Sequence, residues 1–181
     1  MRSHLSALLL SCSALAGTLN AQDPVREIEV TIQGTAKDTI YLANYYGNKL
    51  YYADTCVADA KGKSVFNSKK GYKAGVYAVV IPGPKFFEVV VNEPVIKLVS
   101  DTTDLVGHLQ VKQSKENQVF LDYIRFLGAK KKESDLIRSQ MEAQYDPLAK
   151  NGMRAQLEDM DKAVRKYQTD VIAANPGLLA A

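Results

Sequence analysis

Residues 27–33 have the sequence Glu27-Ile28-Glu29-Val30-Thr31-Ile32-Gln33, and this segment indicates how the first part of the chain folds. Its apolar residues alternate strictly with polar or charged ones, which is the period of a β-strand that buries one face. Further short segments of this kind follow along the chain, with turn residues between them. The pattern becomes helical only after residue 114. The first part of the chain is therefore predicted to be β-sheet.

Eight strands are predicted in this part, and Gly47-Asn48 is a typical two-residue hairpin turn between the second and the third. Short strands at close spacing, with no helices between them, favour an antiparallel β-sandwich over a fold of βαβ units. The predicted strands cover residues 27–33, 39–46, 49–58, 63–67, 75–81, 86–91, 95–100 and 108–112.

The last third of the chain has a helical period. Ser114 is a predicted N-cap, and a first helix follows it with an apolar face at Phe120, Tyr123, Ile124 and Leu127. Gly128 and the lysines at 130–132 are expected to loosen this helix near its end. A second helix is predicted over residues 134–145 and a third over 153–174, with Asp146-Pro147 and Asn151-Gly152 bounding the connection between them.

The third helix carries a heptad stripe, which predicts a helical hairpin or packing on a partner domain. The stripe consists of Leu157, Met160, Val164, Tyr167, Val171 and Ala174. The expected fold class is α+β, with an N-terminal antiparallel β-sandwich and a C-terminal helical segment. The predicted domains are a signal peptide at 1–21, the sandwich at 22–113, and a helical hairpin or linker segment at 114–181.

The composition excludes several classes of protein. The chain has 181 residues, 46% hydrophobic and 24% charged, with a formal net charge of +3. These fractions do not fit a disordered chain or a polytopic membrane protein, and the charge is too balanced for a nucleic-acid surface. Two cysteines are too few for a disulfide-framed scaffold.

The first residues have the pattern of a secretory signal peptide. Arg2 supplies a positive charge, an apolar run covers 5–16, and a small residue at Ala21 marks the expected cleavage position. This predicts a periplasmic protein. The alternative is a lipoprotein signal with an acylated Cys12, and only in that case is a membrane anchor expected.

No catalytic constellation, metal-ligand motif or cofactor-binding motif occurs in the sequence, so no enzyme activity and no cofactor are expected. Without the signal peptide the chain keeps one thiol, Cys56, and one histidine, His108. Cys56 is expected to be a small buried or half-buried side chain, because free cysteine behaves mostly as a small hydrophobe.

Tyrosines are concentrated in the predicted hairpin of the second and third strands. Exposed aromatic rings on a sheet can bind a glycan or a peptide. Alternatively, they fill the core and stabilise the sheet as cross-strand pairs. The residues concerned are Tyr41, Tyr45, Tyr46, Tyr51 and Tyr52.

Several segments in order resemble the N-terminal region of envelope thioredoxin-like thiol:disulfide interchange proteins of Gram-negative bacteria. In that family a signal peptide precedes a β-sandwich of unknown function, a charged helical segment and a thioredoxin domain. The segments that carry the resemblance are residues 39–47, 49–55, 58–62, 75–80, 92–94, 101–104, 114–117 and 174–176.

The C-x-x-C dithiol and the thioredoxin domain of that family are missing here, so the resemblance transfers no catalytic residue. It implies a truncated chain, or alternatively a stand-alone domain. The implied function is a non-catalytic periplasmic accessory domain that positions or recruits for a redox domain, either in cis or in another envelope protein. The alternative is a stand-alone envelope module that binds a glycan or peptide through the tyrosine-rich hairpin.

Overall fold

The computed structural model describes residues 26–47, 49–83 and 85–179. The predicted signal peptide, Cys12 and Asn48 of the predicted hairpin turn lie outside the described residues.

The described chain has eight strands followed by two helices, so the α+β prediction is confirmed. The strands form two four-stranded sheets, one with the order β4-β1-β7-β8 and the other with the order β3-β2-β5-β6. The strands are β1 (Glu27–Gln33), β2 (Thr39–Tyr46), β3 (Lys49–Val57), β4 (Lys63–Phe66), β5 (Gly75–Ile81), β6 (Lys85–Val91), β7 (Val95–Asp101) and β8 (Gln110–Gln113).

One strand pair departs from the predicted antiparallel arrangement. β1 and β7 are parallel over their whole length, from Glu27 opposite Val95 to Gln33 opposite Asp101. Alternating hydrophobicity identifies a strand and its buried face, but it does not identify the partner. Two strands this far apart in sequence can be neighbours in either direction, since a long crossover connects them.

The two sheets enclose one core between their inner faces. Every second residue of β1 lies in it, as the alternation predicts, together with inward residues of β2, β5, β6 and β7. Leu121 from the first helix belongs to the same core. The beginning of that helix therefore packs against the core of the sandwich.

Two long helices replace the three that were predicted: α1 (Lys115–Ala143) and α2 (Pro147–Ala174). Gly128 does not end α1, because its helix-propensity cost of about 1 kcal/mol is small beside the packing of α1 on α2. Lys130 and Lys131 pair with Glu133 and Asp135 further along the same helix and so support it.

The beginning of α2 also differs from the prediction. Asp146 is its N-cap and accepts a hydrogen bond from Leu148 N at 3.0 Å, with Pro147 in the first turn. Asn151 and Gly152 therefore lie inside α2 and do not bound it. The connection between the helices consists only of residues 144–146.

The two helices form a hairpin through the predicted heptad stripe. Tyr167 of α2 stacks on Phe126 of α1 with ring centroids 4.0 Å apart, and Gln168 donates a hydrogen bond to the Tyr123 hydroxyl at 2.7 Å. Met160 is buried, and the other stripe residues are half-buried except the exposed Ala174. Within the described residues, neither helix is apolar enough over a sufficient length to cross a membrane.

Candidate functional site

Three of the five tyrosines project from the outer face of the sheet that contains β3, β2, β5 and β6. On β2, Tyr41 and Tyr45 lie on the side opposite the core residues Ile40 and Leu42, as strand alternation requires. Tyr52 of β3 is opposite Ala43 and so shares this outer face. We call Tyr41, Tyr45 and Tyr52 the tyrosine surface.

The rings of the tyrosine surface lie over small residues. Tyr41 and Tyr52 stack with centroids 4.6 Å apart and an interplanar angle of 29°. Tyr41 packs on a small outer cluster that includes Ala43 and Ala78. Tyr52 is 66% exposed. The result is an aromatic surface that solvent reaches directly.

Tyr45 is held in place by a contact across the sheet. Its hydroxyl donates to Glu88 Oε1 of β6 at 2.7 Å, passing over the intervening strand β5. Two effects raise the pKa of Tyr45 to about 12: burial of the phenol contributes most, and its hydrogen bond to the Glu88 carboxylate contributes next. Tyr45 is therefore a fixed, neutral donor at physiological pH.

The other two tyrosines lie on the opposite face of the hairpin. Tyr51 is opposite Asn44, and its ring meets the edge of Tyr46 at a centroid distance of 6.3 Å. A register shift between Leu42 and Ala43 lies just before this part of the hairpin. The five tyrosines therefore form two separate groups, and sequence proximity alone does not distinguish the two faces.

Cys56 is half-buried in β3 and packs against the core. Its thiol lies 3.6 Å from the carbonyl oxygen of Val57. His108 lies two residues before β8, which is an edge strand of the other sheet. In the described part of the chain, no hydrogen bond joins Cys56 to His108.

A polar cluster that the sequence did not single out surrounds Asp101 at the end of β7. Asp101 Oδ2 lies 2.7 Å from His108 Nδ1, and Asp101 Oδ1 accepts the backbone N–H groups of Thr103 and Asp104. The hydrogen bond from the Thr103 hydroxyl contributes most to lowering the pKa of Asp101, and these backbone hydrogen bonds lower it further. Such a network orders the loop before β8.

The groups that surround this cluster are hydrogen-bonded to backbone carbonyl oxygens. Within the described residues, no hydroxyl or thiol is hydrogen-bonded to the Nε2 atom of His108, and no group of three or more His, Cys, Asp or Glu side chains could hold a metal ion. Ser100, a neighbouring hydroxyl, is buried and donates to Leu105 O at 2.7 Å. Arg125 of α1 donates to Leu109 O at 2.7 Å and so ties the loop to the helix.

The most extensive polar contact between sandwich and helices lies at the first turn of α1. The Asn117 amide donates to Val90 O at 2.8 Å and accepts from Val90 N at 2.8 Å. Val90 lies on β6, an edge strand of its sheet, so this side chain takes the place of a missing neighbouring strand. We call Asn117, Glu116 and Ser114 the anchor.

The rest of the anchor adds further contacts around the same turn. Glu116 is fully buried and accepts from Asn92 Nδ2 at 2.9 Å. Ser114 caps α1 as predicted, since its hydroxyl oxygen accepts the Asn117 N–H at 2.9 Å. Ser114 in turn donates to Glu93, which also accepts the backbone N–H of Lys115 at 3.0 Å. The first turn of α1 is thus fixed to the edge of the sandwich.

A family model described as "Domain of unknown function (DUF4369)" matches residues 27–120, slightly more than half of the chain. The matched segment covers both sheets and reaches into α1 beyond the anchor. No curated protein matches the chain.

Two solved structures are similar to part of the chain. The crystal structure of (S)-allantoin synthase aligns at 9% identity with a TM-score of 0.36, over 52% of this chain and 45% of that one. A DUF3823 family protein from Parabacteroides merdae aligns at 16% identity with a TM-score of 0.29, over 49% and 46%. The chain therefore covers less than half the length of either protein.

Proposed function

We propose that this chain, which belongs to the family of domains of unknown function DUF4369, is a non-catalytic envelope module that positions a thioredoxin-like thiol:disulfide interchange domain. In this proposal the sandwich is the body of the module. The helical hairpin is an arm that sets the distance and direction of the redox domain. The redox chemistry belongs to that domain, because this sequence contains only Cys12 and Cys56 and no C-x-x-C motif.

The observation that carries the proposal is the anchor. A flexible linker would leave the first helix loosely attached, whereas here the Asn117 amide is hydrogen-bonded in both directions to Val90. Leu121 adds an apolar contact to the core one turn later. A helix held by paired buried hydrogen bonds and core packing keeps a fixed direction, which is what a positioning element needs.

The arm has a tip far from the sandwich and an end that returns close to it. α1 has 29 residues, which corresponds to about 43 Å at 1.5 Å per residue. α2 returns beside it, since Tyr167 stacks on Phe126. A domain attached near the end of α2 would therefore lie close to the sandwich, while a partner at the connection between the helices would lie far from it.

Site-specific photo-crosslinking in the native cell envelope tests this proposal. A photoreactive residue replaces the exposed Ala173 near the end of α2, and a matched variant carries it at the exposed Ala53 on β3. We expect the Ala173 position to crosslink to a peptide from a domain that contains C-x-x-C, in cis or in another protein. Crosslinks from Ala173 only to proteins without this dithiol, or equal crosslinking of that domain from Ala53, would refute the proposal.

The tyrosine surface supports a second candidate function, that of a binding module for a glycan or peptide. The exposed stack of Tyr52 on Tyr41 offers a flat aromatic face of the kind on which sugar rings and apolar side chains pack. The test is a glycan and peptide array with the Tyr52→Ala variant. The control is Tyr145→Ala, at an exposed tyrosine in the connection between the helices. A ligand lost in the first variant and kept in the second would support this function.

A further inference from the structure

An apolar cleft of about 270 Å³ lies where the sandwich meets α1. Its walls come from both sheets, from the loop before β8 and from the first turns of α1. Phe86 and Val106 are also exposed to solvent, at 44% and 41%, and so mark its mouth. The inner lining includes Phe87, Leu98, Leu109, Val111, Phe120 and Ile124.

The polar side chains that line the cleft are already paired. The Asn117 amide is hydrogen-bonded to both backbone groups of Val90. The Glu88 carboxylate accepts the Tyr45 hydroxyl at 2.7 Å. A polar group buried here would lose its water without gaining a partner, which costs roughly 1–3 kcal/mol per group. The cleft therefore selects an apolar chain.

The mouth has a different character. Past Phe86 and Val106 the cleft opens onto a shallow depression of about 370 Å³, which Lys85 and Asp104 also line together with the hydroxyl-bearing Thr103. In the described part of the chain, neither Lys85 nor Asp104 forms an ion pair. Asp104 Oδ1 accepts the Gly107 N–H at 2.8 Å.

The two opposite charges decide which head group fits. At the mouth, the attraction of an anionic head group to the Lys85 ammonium is offset by its repulsion from the Asp104 carboxylate, and the attraction of a cationic one to Asp104 is offset by its repulsion from Lys85. A hydroxyl group can accept from Lys85 and donate to Asp104 without an unfavourable charge contact. The mouth thus favours a head group that is uncharged and carries hydroxyls.

We propose that this cleft binds a neutral single-chain amphiphile, with its acyl chain between β6 and α1 and its hydroxyl-bearing head group over Lys85 and Asp104. The cleft is larger than an apolar cavity of roughly 150 Å³ that stays dry and holds benzene, and it lies near the lower limit of small-molecule pockets. A medium-length chain suits this volume. The site contains none of the tyrosine rings, although Glu88, which accepts the Tyr45 hydroxyl, borders both sites, and it does not depend on a redox partner.

Isothermal titration with glycerol monodecanoate, below its micelle concentration, tests the proposal. We expect saturable binding of one molecule per chain. Val106→Trp should weaken it about tenfold or more by filling the mouth. Leu136→Trp, at an exposed position of α1 outside the cleft, is the matched control and should bind like the unchanged chain. Circular dichroism verifies that both variants fold.

Charged analogues with an alkyl chain of similar length distinguish a site that selects its head group from an apolar surface that does not. Decanoate and decyltrimethylammonium should each bind several-fold more weakly than the glycerol ester. Lys85→Glu, an exposed substitution, should strengthen binding of the cationic analogue and weaken that of decanoate. The proposal is overturned by absence of saturable binding, by equal effects of Val106→Trp and Leu136→Trp, or by equal affinity for all three head groups.

Discussion

Ser64 and Ser100 lie in the same sheet and are equally buried, but their hydroxyls differ in their partners. Ser100 Oγ donates to Leu105 O at 2.7 Å. Ser64 Oγ has no hydrogen-bond partner among the described residues. A buried hydroxyl without a partner costs free energy, whereas one that is hydrogen-bonded contributes modestly to stability.

Replacing each serine with alanine should therefore have different effects. Ser64→Ala is expected to leave the free energy of unfolding unchanged or to raise it, because no hydrogen bond is lost. Ser100→Ala is expected to lower it by about 1 kcal/mol. Urea unfolding followed by circular dichroism measures both. A loss for Ser64→Ala as large as that for Ser100→Ala would show that Ser64 has a partner.

Tyr45 links stability to alkaline pH. Its pKa is raised in the folded state to about 12 from its ordinary value of 10.0, so folding favours the protonated phenol. This stabilisation is fully present below pH 10 and is lost as the pH rises towards 12. Because the residue is more than one third exposed, its share is below about 1 kcal/mol.

Tyr45→Phe should therefore be slightly less stable than the unchanged chain at pH 8, and this difference should shrink above pH 10 and disappear as the pH approaches 12. Urea unfolding over this pH range measures it, with Tyr145→Phe at the exposed connection as a control that should show no such convergence. A difference between Tyr45→Phe and the unchanged chain that grows with pH would contradict the assigned direction of the pKa.

At the scale of the elements, local signals predicted local structure. The alternation in β1 and the N-cap at Ser114 were predicted because each depends on neighbours a few residues away. The parallel pairing of β1 with β7 could not be predicted, because it is a contact between distant segments. The continuity of α1 through Gly128 depends in the same way on the packing of α2.

Gly128 is expected to be a position at which α1 can be stabilised. A Cβ atom there would meet nothing within 4 Å, so Gly128→Ala should raise the free energy of unfolding by about 1 kcal/mol. Gly62→Ala should do the opposite, because Gly62 has a φ of +79° and a Cβ atom would collide with the Ile32 carbonyl. Thermal unfolding compares the two. A loss of stability in Gly128→Ala would mean that α1 is not a regular helix at this position.

The anchor is the element-scale feature on which the proposed function depends. Asn117→Ala would leave both backbone groups of the buried Val90 without their partners, so we expect a loss of about 2 kcal/mol. Gln118→Ala, at the next and exposed position of α1, should cost about 0.5 kcal/mol or less. Equal losses in urea unfolding would indicate that Asn117 contributes only through helix propensity.

At the scale of the whole molecule, the candidate sites differ in how far the sequence reveals them. The tyrosines are visible as a local concentration, although their division between two faces is not. The anchor and the apolar cleft bring together β6, residues before β8 and the beginning of α1, which are distant in sequence. Such sites arise from tertiary packing and carry no motif.

The proposed function depends most on the fixed direction of the helical arm relative to the sandwich. The direct test is a pulsed electron–electron resonance distance between spin labels at Ala53→Cys on β3 and Leu148→Cys near the beginning of α2, in a chain in which Cys12→Ser and Cys56→Ser remove the native thiols. Both labelled positions are exposed. We predict a single narrow distance distribution that broadens when Asn117→Ala is added. A broad distribution in the chain with Asn117 intact would contradict the account.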